Sequence, residues 1–368
     1  MTVDAASEVR RQAGALSRDD RLVIGPLEGH HHETYAFPLP VPLKGRFERG
    51  KLRVRRPDVV WFDSRCFEVE DELLAVLQDR IDRIPVQDEV IPGVVLTGFI
   101  EGGPLGRRSP TERQLRQLGL LFRQLAAVPA DDLHGLRRTG GHEDHGVLPG
   151  DSGAFLNRLI GFTTDDVLGR YYPEYGELFT AFDVSADALE ALRPGTLRPG
   201  GHRAMTDRPF SLLHGDLHRD NFIVDLSGDL WAIDWELALI GDPLYELATH
   251  LHLMRYTAGQ ETRVARLWAD ALDGTGATRG WEKDLPHLLD YKRVQSVITD
   301  VVRAAQTIGA RPDATGPEFH DAANRVHRAL VAAREPLRLT AVPSLHRVIA
   351  AYADWLKSSP RPHPEQHP

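Results

Sequence analysis

Cysteine is almost missing from this sequence, since Cys66 is the only one in a chain of 368 residues. An intrachain disulfide is therefore impossible, and the cysteine usage gives no sign of secretion. Residues 1–20 lack the apolar core of a signal peptide, and no run of apolar residues is long enough to span a membrane. These absences predict a cytoplasmic protein with no membrane partner.

A surplus of positive charge is also missing. The 44 lysines and arginines are outnumbered by 53 aspartates and glutamates, which gives a formal net charge of -9. Nucleic acids bind basic surfaces, so we expect no nucleic-acid partner. The acidic balance suits a cationic small molecule, although many cytosolic proteins are equally acidic. The hydrophobic share of 42% is enough to bury a core, and the length predicts two lobes or domains.

Residues 212–236 combine a polar loop with a predicted β-hairpin, in the sequence LLHGDLHRDNFIVDLSGDLWAIDWE. Two strand-like runs flank the turn signal Ser227-Gly228, and the hairpin brings Asn221 and Asp234 to neighbouring strand ends. Phosphoryl transfer uses this kind of arrangement. One carboxylate accepts the proton of the attacking hydroxyl, while another carboxylate and an amide oxygen hold the Mg²⁺ ions that neutralise the phosphates.

The spacing His-Gly-Asp-x-x-x-x-Asn followed by Ile-Asp-Trp-Glu resembles the aminoglycoside phosphotransferase family, which is related to choline kinases and, more distantly, to protein kinases. The resemblance extends roughly from residue 21 to residue 256 and is sharpest in the predicted hairpin. It implies that Asp216 is the catalytic base and that Asn221 and Asp234 bind Mg²⁺. Gly215 replaces the arginine of the protein-kinase pattern, as small-molecule kinases of this family prefer.

The same resemblance implies supporting roles for three neighbours of these residues. His214 would prop the catalytic loop, His218 would organise it, and Glu236 would assist contacts to metal or substrate. We expect His214, which lies two residues from the base, to be structural and to carry no proton in the reaction.

The fold that the resemblance implies is bilobed, protein-kinase-like and of the α/β (α+β) class. We expect a small, β-rich N-terminal lobe over residues 1–98 and a larger, mostly helical C-terminal lobe over residues 99–358. A disordered tail rich in proline and histidine would follow at residues 359–368. Residues 130–210 carry no readable motif, and we expect this insertion to form walls specific to the substrate.

Residues 51–55, KLRVR, alternate basic and apolar side chains as a strand does, so Lys51, Arg53 and Arg55 share one face. In the related family a lysine on this strand holds the phosphates of the nucleotide. Arg53 best matches that position, because arginine also supplies positive charge to phosphate oxygens. Lys51 and Arg55 remain alternatives.

A carboxylate is needed to hold the basic side chain. Residues 67–77 have the apolar spacing of an amphipathic helix, and they contain Glu70 and Glu72. We expect Glu70 to pair with Arg53, with Glu72 as the alternative.

The nucleotide would lie between the first hairpin and the connection of the lobes. The full glycine-rich loop is missing, and only Gly29 is present, so backbone N–H groups with Thr34 are the candidates for contact to a phosphate. The residues from Thr97 to Glu101 follow a buried strand and are the candidates for contact to the base, and among them we expect Thr97 and Phe99 to lie near the nucleotide.

The resemblance implies transfer of the γ-phosphoryl group of ATP or GTP, with Mg²⁺, to a hydroxyl of an antibiotic such as an aminoglycoside, nucleoside or peptide antibiotic. The biological role would be resistance or self-protection. Two alternatives stay open: a metabolic kinase of a sugar, amino alcohol or choline, and a catalytically silent kinase-like binding protein. No motif identifies the acceptor hydroxyl, the preference between ATP and GTP or the oligomeric state.

Overall fold

The computed structural model describes residues 2–27, 32–43, 45, 47–55, 62–91, 94–139, 150–194, 204–309 and 316–358. Gly29 and the tail at residues 359–368 lie outside the described residues. The described strands are β1 (Ile24–Leu27), β2 (His32–Leu43), β3 (Phe47–Arg55), β4 (Gln87–Ile91), β5 (Val94–Gly98), β6 (Gly102–Pro104), β7 (Ser211–Leu213), β8 (Phe222–Asp225), β9 (Leu230–Ala232) and β10 (Leu239–Gly241).

The described helices predominate in the C-terminal part of the chain. They are α1 (Thr2–Ser17), α2 (Glu70–Leu77), α3 (Glu112–Ala126), α4 (Ser152–Phe162), α5 (Arg170–Ala181), α6 (Ala186–Glu190), α7 (Pro243–Met254), α8 (Ala258–Ala271), α9 (Trp281–Gly309), α10 (Pro317–Ala332) and α11 (Leu345–Ser358). The predicted α/β (α+β) class is confirmed, with a sheet-rich N-terminal part and a mostly helical C-terminal part. Within the described ranges, no helix has both the length and the apolar character needed to cross a bilayer.

The chain divides into two compact units, each made of three segments. The first comprises Met1–Trp61, Arg65–Gly146 and Pro209–Thr278, and the second comprises Phe62–Ser64, Val147–Arg208 and Arg279–Pro368. The first unit combines residues from both of the lobes that we expected. The lobe boundary at residue 98 therefore stays a prediction.

In the first unit, an antiparallel sheet of five strands has the order β1-β2-β3-β5-β4. Strand β3 is central, and its Lys51 pairs with Ala36 of β2 on one side and with Thr97 of β5 on the other. The strand predicted for residues 51–55 is thus confirmed as part of β3. Helix α1 packs on β2 and β3. The apolar core between them also includes Trp231 from β9, the second strand of the β8–β9 hairpin. This core contains Val9, Ala13, Tyr35, Phe37, Leu43, Phe47, Leu96 and Trp231.

The hairpin of β8 and β9 confirms the turn predicted from the sequence. Its turn is closed by the Asp225 carboxylate, which accepts hydrogen bonds from the backbone N–H groups of Ser227 and Asp229, both at 2.9 Å. The same carboxylate accepts a third bond from the indole N–H of Trp231 at 2.9 Å. Gly228 has a φ of +82°, a conformation that glycine adopts without strain. The hairpin thus fixes the strand ends that bracket the predicted site.

The prediction of a helix over residues 67–77 is wrong at its N-terminal end. Helix α2 begins at Glu70, because Phe67 forms an isolated β-bridge with Arg138, and the N–H of Glu68 donates to the carbonyl of Arg137 at 2.9 Å. The backbone of these residues is therefore committed to a distant segment and cannot enter the helix. Glu70 itself stays in the helix, in its first turn.

The second unit is helical and is organised along α9. Helices α4 and α5 are joined by a π-helical segment, Thr163–Gly169, whose Thr163 hydroxyl lies 2.9 Å from the Tyr291 hydroxyl of α9. Arg208 forms a fully buried ion pair with Asp284 of α9. This pair fixes the chain shortly before β7, the strand that leads into the catalytic loop. Much of the region at residues 130–210 that carried no readable motif is therefore helical. Its predicted role in substrate binding stays a prediction.

Candidate active site

The catalytic loop lies between β7 and β8, and the side chain of Glu246 in α7 binds its backbone. One oxygen of this buried carboxylate, Oε2, accepts the backbone N–H of His214 at 2.6 Å and that of Gly215 at 2.9 Å. Gly215 has a φ of +78°, and a Cβ atom there would approach the carbonyl oxygen of Leu237 to 2.5 Å. The loop therefore requires glycine where protein kinases have arginine, because a side chain would collide with the backbone.

Sequence reasoning assigned no role to Glu246. The signal that could have found it is its position. An acidic residue in the first turn of an otherwise apolar helix is buried only when it has donors to satisfy. Asp242 caps the same helix, with its carboxylate accepting the N–H of Leu244 at 2.9 Å.

His214 is a fully buried, neutral support for the loop. Its Nδ1 accepts the N–H of Asp216 at 3.3 Å, so Nε2 carries the proton and donates to the carbonyl of Ile233 at 3.1 Å. Burial lowers the pKa of His214 to about 4. The ring also lies against Trp235, with the ring centres 4.6 Å apart. These contacts join the catalytic loop to the residues that precede and follow Asp234.

Asp216 and Asn221 of the catalytic loop lie together. The side-chain N–H₂ of Asn221 donates to the Asp216 carboxylate at Oδ2 and to the Asp216 carbonyl, both at 3.0 Å. Asn221 is buried, whereas Asp216 is half-buried. The N–H of Ile233 donates to the carbonyl of Asn221 at 2.9 Å, so the residue before Asp234 is bonded to the residue that ends the catalytic loop.

His218 also lies beside the Asp216 carboxylate. Its Nε2 is 3.4 Å from Oδ2 of Asp216, and its Nδ1 accepts the backbone N–H of Asp220 at 3.1 Å. Burial lowers the pKa of His218, but the hydrogen bond to Asp216 and the charge of that carboxylate outweigh it, so the pKa lies above its ordinary value.

Three carboxylates converge around the metal loop. One oxygen each from Glu70, Asp234 and Glu236 lies within 4.8 Å of the others. Burial, together with the negative charges of Glu70, Glu236 and Asp216, raises the pKa of Asp234 to about 7. Asp234 also has a φ of +66°, which is uncommon for a residue other than glycine and costs conformational energy.

These residues fit a divalent cation with a preference for oxygen ligands. Mg²⁺ is bound by carboxylates, amide oxygens and water, and a doubly charged ion would offset the repulsion that raises the pKa of Asp234. The assignment of Asn221 and Asp234 as the amide and carboxylate ligands stays a prediction. Glu236 is buried, and one of its oxygens lies within 4.8 Å of an Asp234 oxygen, so it offers a further oxygen donor.

The predicted pairing of Arg53 with Glu70 is present. The guanidinium nitrogen Nη1 of Arg53 lies 2.6 Å from Oε2 of Glu70, and Nη2 lies 3.1 Å from Asp71. Glu70 also accepts the backbone N–H of Trp235 at 3.1 Å through Oε1. The alternative partner Glu72 is engaged elsewhere, with Arg137 at 2.6 Å. Glu70 therefore connects the basic strand β3 to the metal loop.

Lys51 lies on the same face of β3 but has different surroundings. Burial and the charge of Arg53 lower the pKa of Lys51, whereas Glu70 and Asp234 act in the opposite direction. Among the described residues, no hydrogen bond or ion pair of the Lys51 ammonium is found. The third basic candidate, the side chain of Arg55, lies outside the described side chains.

The residues predicted to contact the nucleotide flank these two cations. In the registers of the sheet, Thr34 of β2 is opposite Arg53, and Thr97 of β5 is opposite Lys51. Phe99 lies two residues after Thr97. The backbone N–H of Phe99 is already hydrogen-bonded to the carbonyl of Arg49 at 2.8 Å. The Phe99 amide is therefore not available to a base, and a role for this residue would use its carbonyl or ring.

One contact in the site was not anticipated. His32, at the start of β2, places Nδ1 at 2.6 Å from Oε1 of Glu236. The sequence contains a run of three histidines here, but it gives no sign that a residue more than 200 positions later is its partner. The contact joins the strand of the first hairpin to the metal loop.

A basic central strand, a catalytic loop with a paired aspartate and asparagine, and a convergent acidic loop together define a phosphotransferase of the kinase-like class. The chain belongs to the phosphotransferase enzyme family, abbreviated APH, whose family model matches residues 70–283, more than half of the chain. The family predicted from the spacing of the catalytic loop is confirmed.

Similar solved structures come from several kinases. A choline/ethanolamine kinase family protein from Mesorhizobium loti is 18% identical, with 96% of this chain and 99% of that chain covered and a TM-score of 0.47. The macrolide 2'-phosphotransferase MphH from Brachybacterium faecium is 17% identical (90% and 99% covered, TM-score 0.49). The choline kinase LicA from Streptococcus pneumoniae is 14% identical (90% and 99% covered, TM-score 0.48). At this level of similarity these structures do not identify an acceptor. No curated protein sequence matches the chain.

Proposed function

We propose that this protein is a Mg²⁺-dependent kinase that transfers the γ-phosphoryl group of ATP or GTP to a hydroxyl group of a small molecule. The observation that carries the proposal is the Asp216–Asn221 pair, hydrogen-bonded at 3.0 Å, in one loop system with three convergent carboxylates. Arg53 offsets the charge of Glu70, but burial and the neighbouring carboxylates still raise the pKa of Asp234, so the cluster favours binding of a cation and, through it, of phosphates.

In the proposed reaction, Asp216 orients the acceptor hydroxyl and takes its proton. The hydroxyl oxygen bonds to the γ-phosphorus while the bond from that phosphorus to the bridging oxygen breaks, and ADP or GDP leaves. Proton transfer is late because the transition state of phosphoryl transfer is loose and depends on alignment more than on deprotonation. His214 and Glu246 act through the loop backbone, which they hold in place.

Asn221 and Asp234 would hold Mg²⁺, with Glu236 as a further donor. When bound, the ion neutralises charge on the transferred phosphoryl group. Arg53, fixed by Glu70, and Lys51 supply positive charge for the nucleotide phosphates. Thr34 and Thr97, opposite these two side chains in the sheet, are the proposed neighbours of the nucleotide.

The acceptor that we propose is a hydroxylated antibiotic, such as an aminoglycoside, nucleoside or peptide antibiotic, in a cytoplasmic role of resistance or self-protection. This finer statement rests on the family resemblance and on the net charge of -9, which suits a cationic acceptor. The same charge also suits an amino alcohol such as choline, so a metabolic kinase is the second candidate.

The test is intact-mass analysis of a panel of hydroxylated antibiotics, amino alcohols and sugars incubated with the protein, Mg²⁺ and ATP or GTP. We expect one class of acceptor to gain the mass of a single phosphoryl group, and we expect no gain with Asp216→Asn. Product formation that is unchanged in Asp216→Asn would refute the assigned base. No product with any acceptor, together with no nucleotide-dependent thermal shift, would favour a silent binding protein.

A further inference from the structure

The hydrogen bonds of His218 define where its ring carries a proton. The backbone N–H of Asp220 donates to Nδ1 at 3.1 Å, so that nitrogen presents its lone pair. In the neutral ring the proton must then reside on Nε2, and the charged ring also carries a proton there. In both forms, therefore, Nε2 is a donor, and the carboxylate oxygen Oδ2 of Asp216 lies 3.4 Å away.

The two oxygens of the Asp216 carboxylate consequently have different surroundings. Oδ2 receives the Asn221 amide at 3.0 Å and lies 3.4 Å from Nε2 of His218. Among the described residues, no donor to Oδ1 is found. An ionised carboxylate accepts through both oxygens. Oδ1 is therefore the oxygen with capacity for a further donor, and the hydroxyl of an acceptor is such a donor.

We propose that His218 is a positioning residue that fixes the rotation of the Asp216 carboxylate, so that Oδ2 is held by the protein and Oδ1 is presented to the acceptor hydroxyl. The inference rests on the proposed function. The Asn221 amide at 3.0 Å and the His218 Nε2 at 3.4 Å both lie at Oδ2, and together they restrict the carboxylate more than the Asn221 amide alone. Orientation matters because the reaction depends on alignment, and a displacement of about 1 Å in such a site can cost about 100-fold in rate.

The reaction step that His218 would assist involves no change in the histidine itself. The proton of the acceptor hydroxyl moves to Oδ1 of Asp216, the hydroxyl oxygen bonds to the γ-phosphorus, and the nucleoside diphosphate leaves. The 3.4 Å separation of Nε2 and Oδ2 is long for a hydrogen bond, as catalytic contacts often are before substrate binds.

Two substitutions separate positioning from simple support of the loop. An asparagine at this position has an oxygen near the place of Nδ1, so His218→Asn keeps an acceptor for the Asp220 N–H but offers no donor to Asp216. A glutamine is longer and reaches the place of Nε2 with an N–H₂ group. His218→Gln therefore restores the donor to Asp216.

The experiment measures steady-state release of phosphate from MgATP with water as the acceptor, so it needs no identified substrate, and it includes Asp216→Asn as the reference. We expect His218→Asn to lower kcat by about 10- to 100-fold with KM for ATP unchanged, and His218→Gln to stay within about threefold of the wild type. Melting temperatures of both variants should match that of the wild type.

The proposal is overturned if His218→Asn keeps the wild-type kcat, or if both variants lose kcat to the same extent. If Asp216→Asn abolishes phosphate release but His218→Asn does not alter it, only the role of His218 fails. If the wild type releases no phosphate and shows no nucleotide-dependent thermal shift, the proposed function fails and the role of His218 fails with it. If release is unaffected by Asp216→Asn, the assigned base fails, and the role of His218 fails with it.

Discussion

Lys51 and Arg53 are separated by a single residue on β3, yet their surroundings differ. Arg53 is engaged by Glu70 and Asp71, whereas no partner of the Lys51 ammonium is found in the described part of the chain. Burial and Arg53 lower the pKa of Lys51, which means that its charged form is poorly solvated. An anionic nucleotide would stabilise that charge. We therefore expect the two cations to differ in role, with Arg53 mainly structural and Lys51 mainly in contact with phosphate.

Substitution of the two residues by methionine tests this division. Lys51→Met should raise the Kd for ATP by about 10- to 100-fold, because a charge-assisted hydrogen bond contributes about 1.5–3 kcal/mol. Arg53→Met should mainly lower the free energy of unfolding, by about 3–5 kcal/mol, because it leaves the buried Glu70 without its guanidinium partner. Isothermal titration calorimetry and urea unfolding measure the two effects. Lys51→Arg is the control that keeps the charge, and equal losses of ATP affinity in both methionine variants would contradict the division.

At the scale of elements, the β8–β9 hairpin depends on one carboxylate. Burial raises the pKa of Asp225, but hydrogen bonds from Trp231, Asp229 and Ser227 outweigh it, so its pKa lies below the ordinary value. A carboxyl group whose pKa is lowered by folding stabilises the folded protein above its unfolded-state pKa. That contribution is lost as the pH falls through the folded-state pKa.

The substitution Asp225→Asn should lower the free energy of unfolding by about 1–3 kcal/mol near pH 7, because the neutral amide is a weaker acceptor for three donors. The difference from the wild type should shrink as the pH falls from about 4, the ordinary pKa of an unfolded aspartate, through the lower folded-state pKa of Asp225. Urea unfolding at several pH values measures it. Asp220→Asn is the matched control, because the Asp220 carboxylate is exposed. If the difference between Asp225→Asn and the wild type does not change with pH, the charge of Asp225 is not involved.

The hairpin and α2 illustrate what can be predicted from sequence at this scale. The hairpin was predicted because its turn chemistry, Ser227-Gly228, is local to it. The start of α2 was not, because Phe67 is bonded to residue 138, which local periodicity cannot reveal. In the site, too, the features that could be predicted are those that lie within one short segment of the sequence. Asp216, Asn221 and Asp234 were found by their spacing within one segment, and their roles stay predictions.

The contacts that sequence reasoning missed are long-range. Glu246 holds the N–H groups of His214 and Gly215 from a later helix, and His32 reaches Glu236 from the first hairpin. The choice among Lys51, Arg53 and Arg55 could not be made either, because alternation places all three on one face and only packing distinguishes their neighbours.

At the scale of the whole molecule, the convergent carboxylates make stability depend on ligands. A ligand that binds only the folded protein stabilises it by about 2.7 kcal/mol at a concentration of 100 times its Kd. We expect Mg²⁺ with ATP to raise the melting temperature by a few degrees and excess EDTA to remove the rise. Asp234→Asn should lose the rise, whereas Asp216→Asn should keep it, because Asp216 is assigned to the acceptor. The same rise in Asp234→Asn as in the wild type, measured by differential scanning fluorimetry, would contradict the assigned metal ligand.

The core of the N-terminal sheet has a consequence for how the protein is made. Seven of its members lie between Val9 and Leu96, but the eighth, Trp231, is supplied by β9 more than 130 residues later. A nascent chain leaving the ribosome therefore exposes part of this apolar surface until the catalytic segment itself has been synthesised. The apolar core of the sheet can be completed only when Trp231 has been synthesised, so completion of this scaffold waits for the segment that carries the candidate active site.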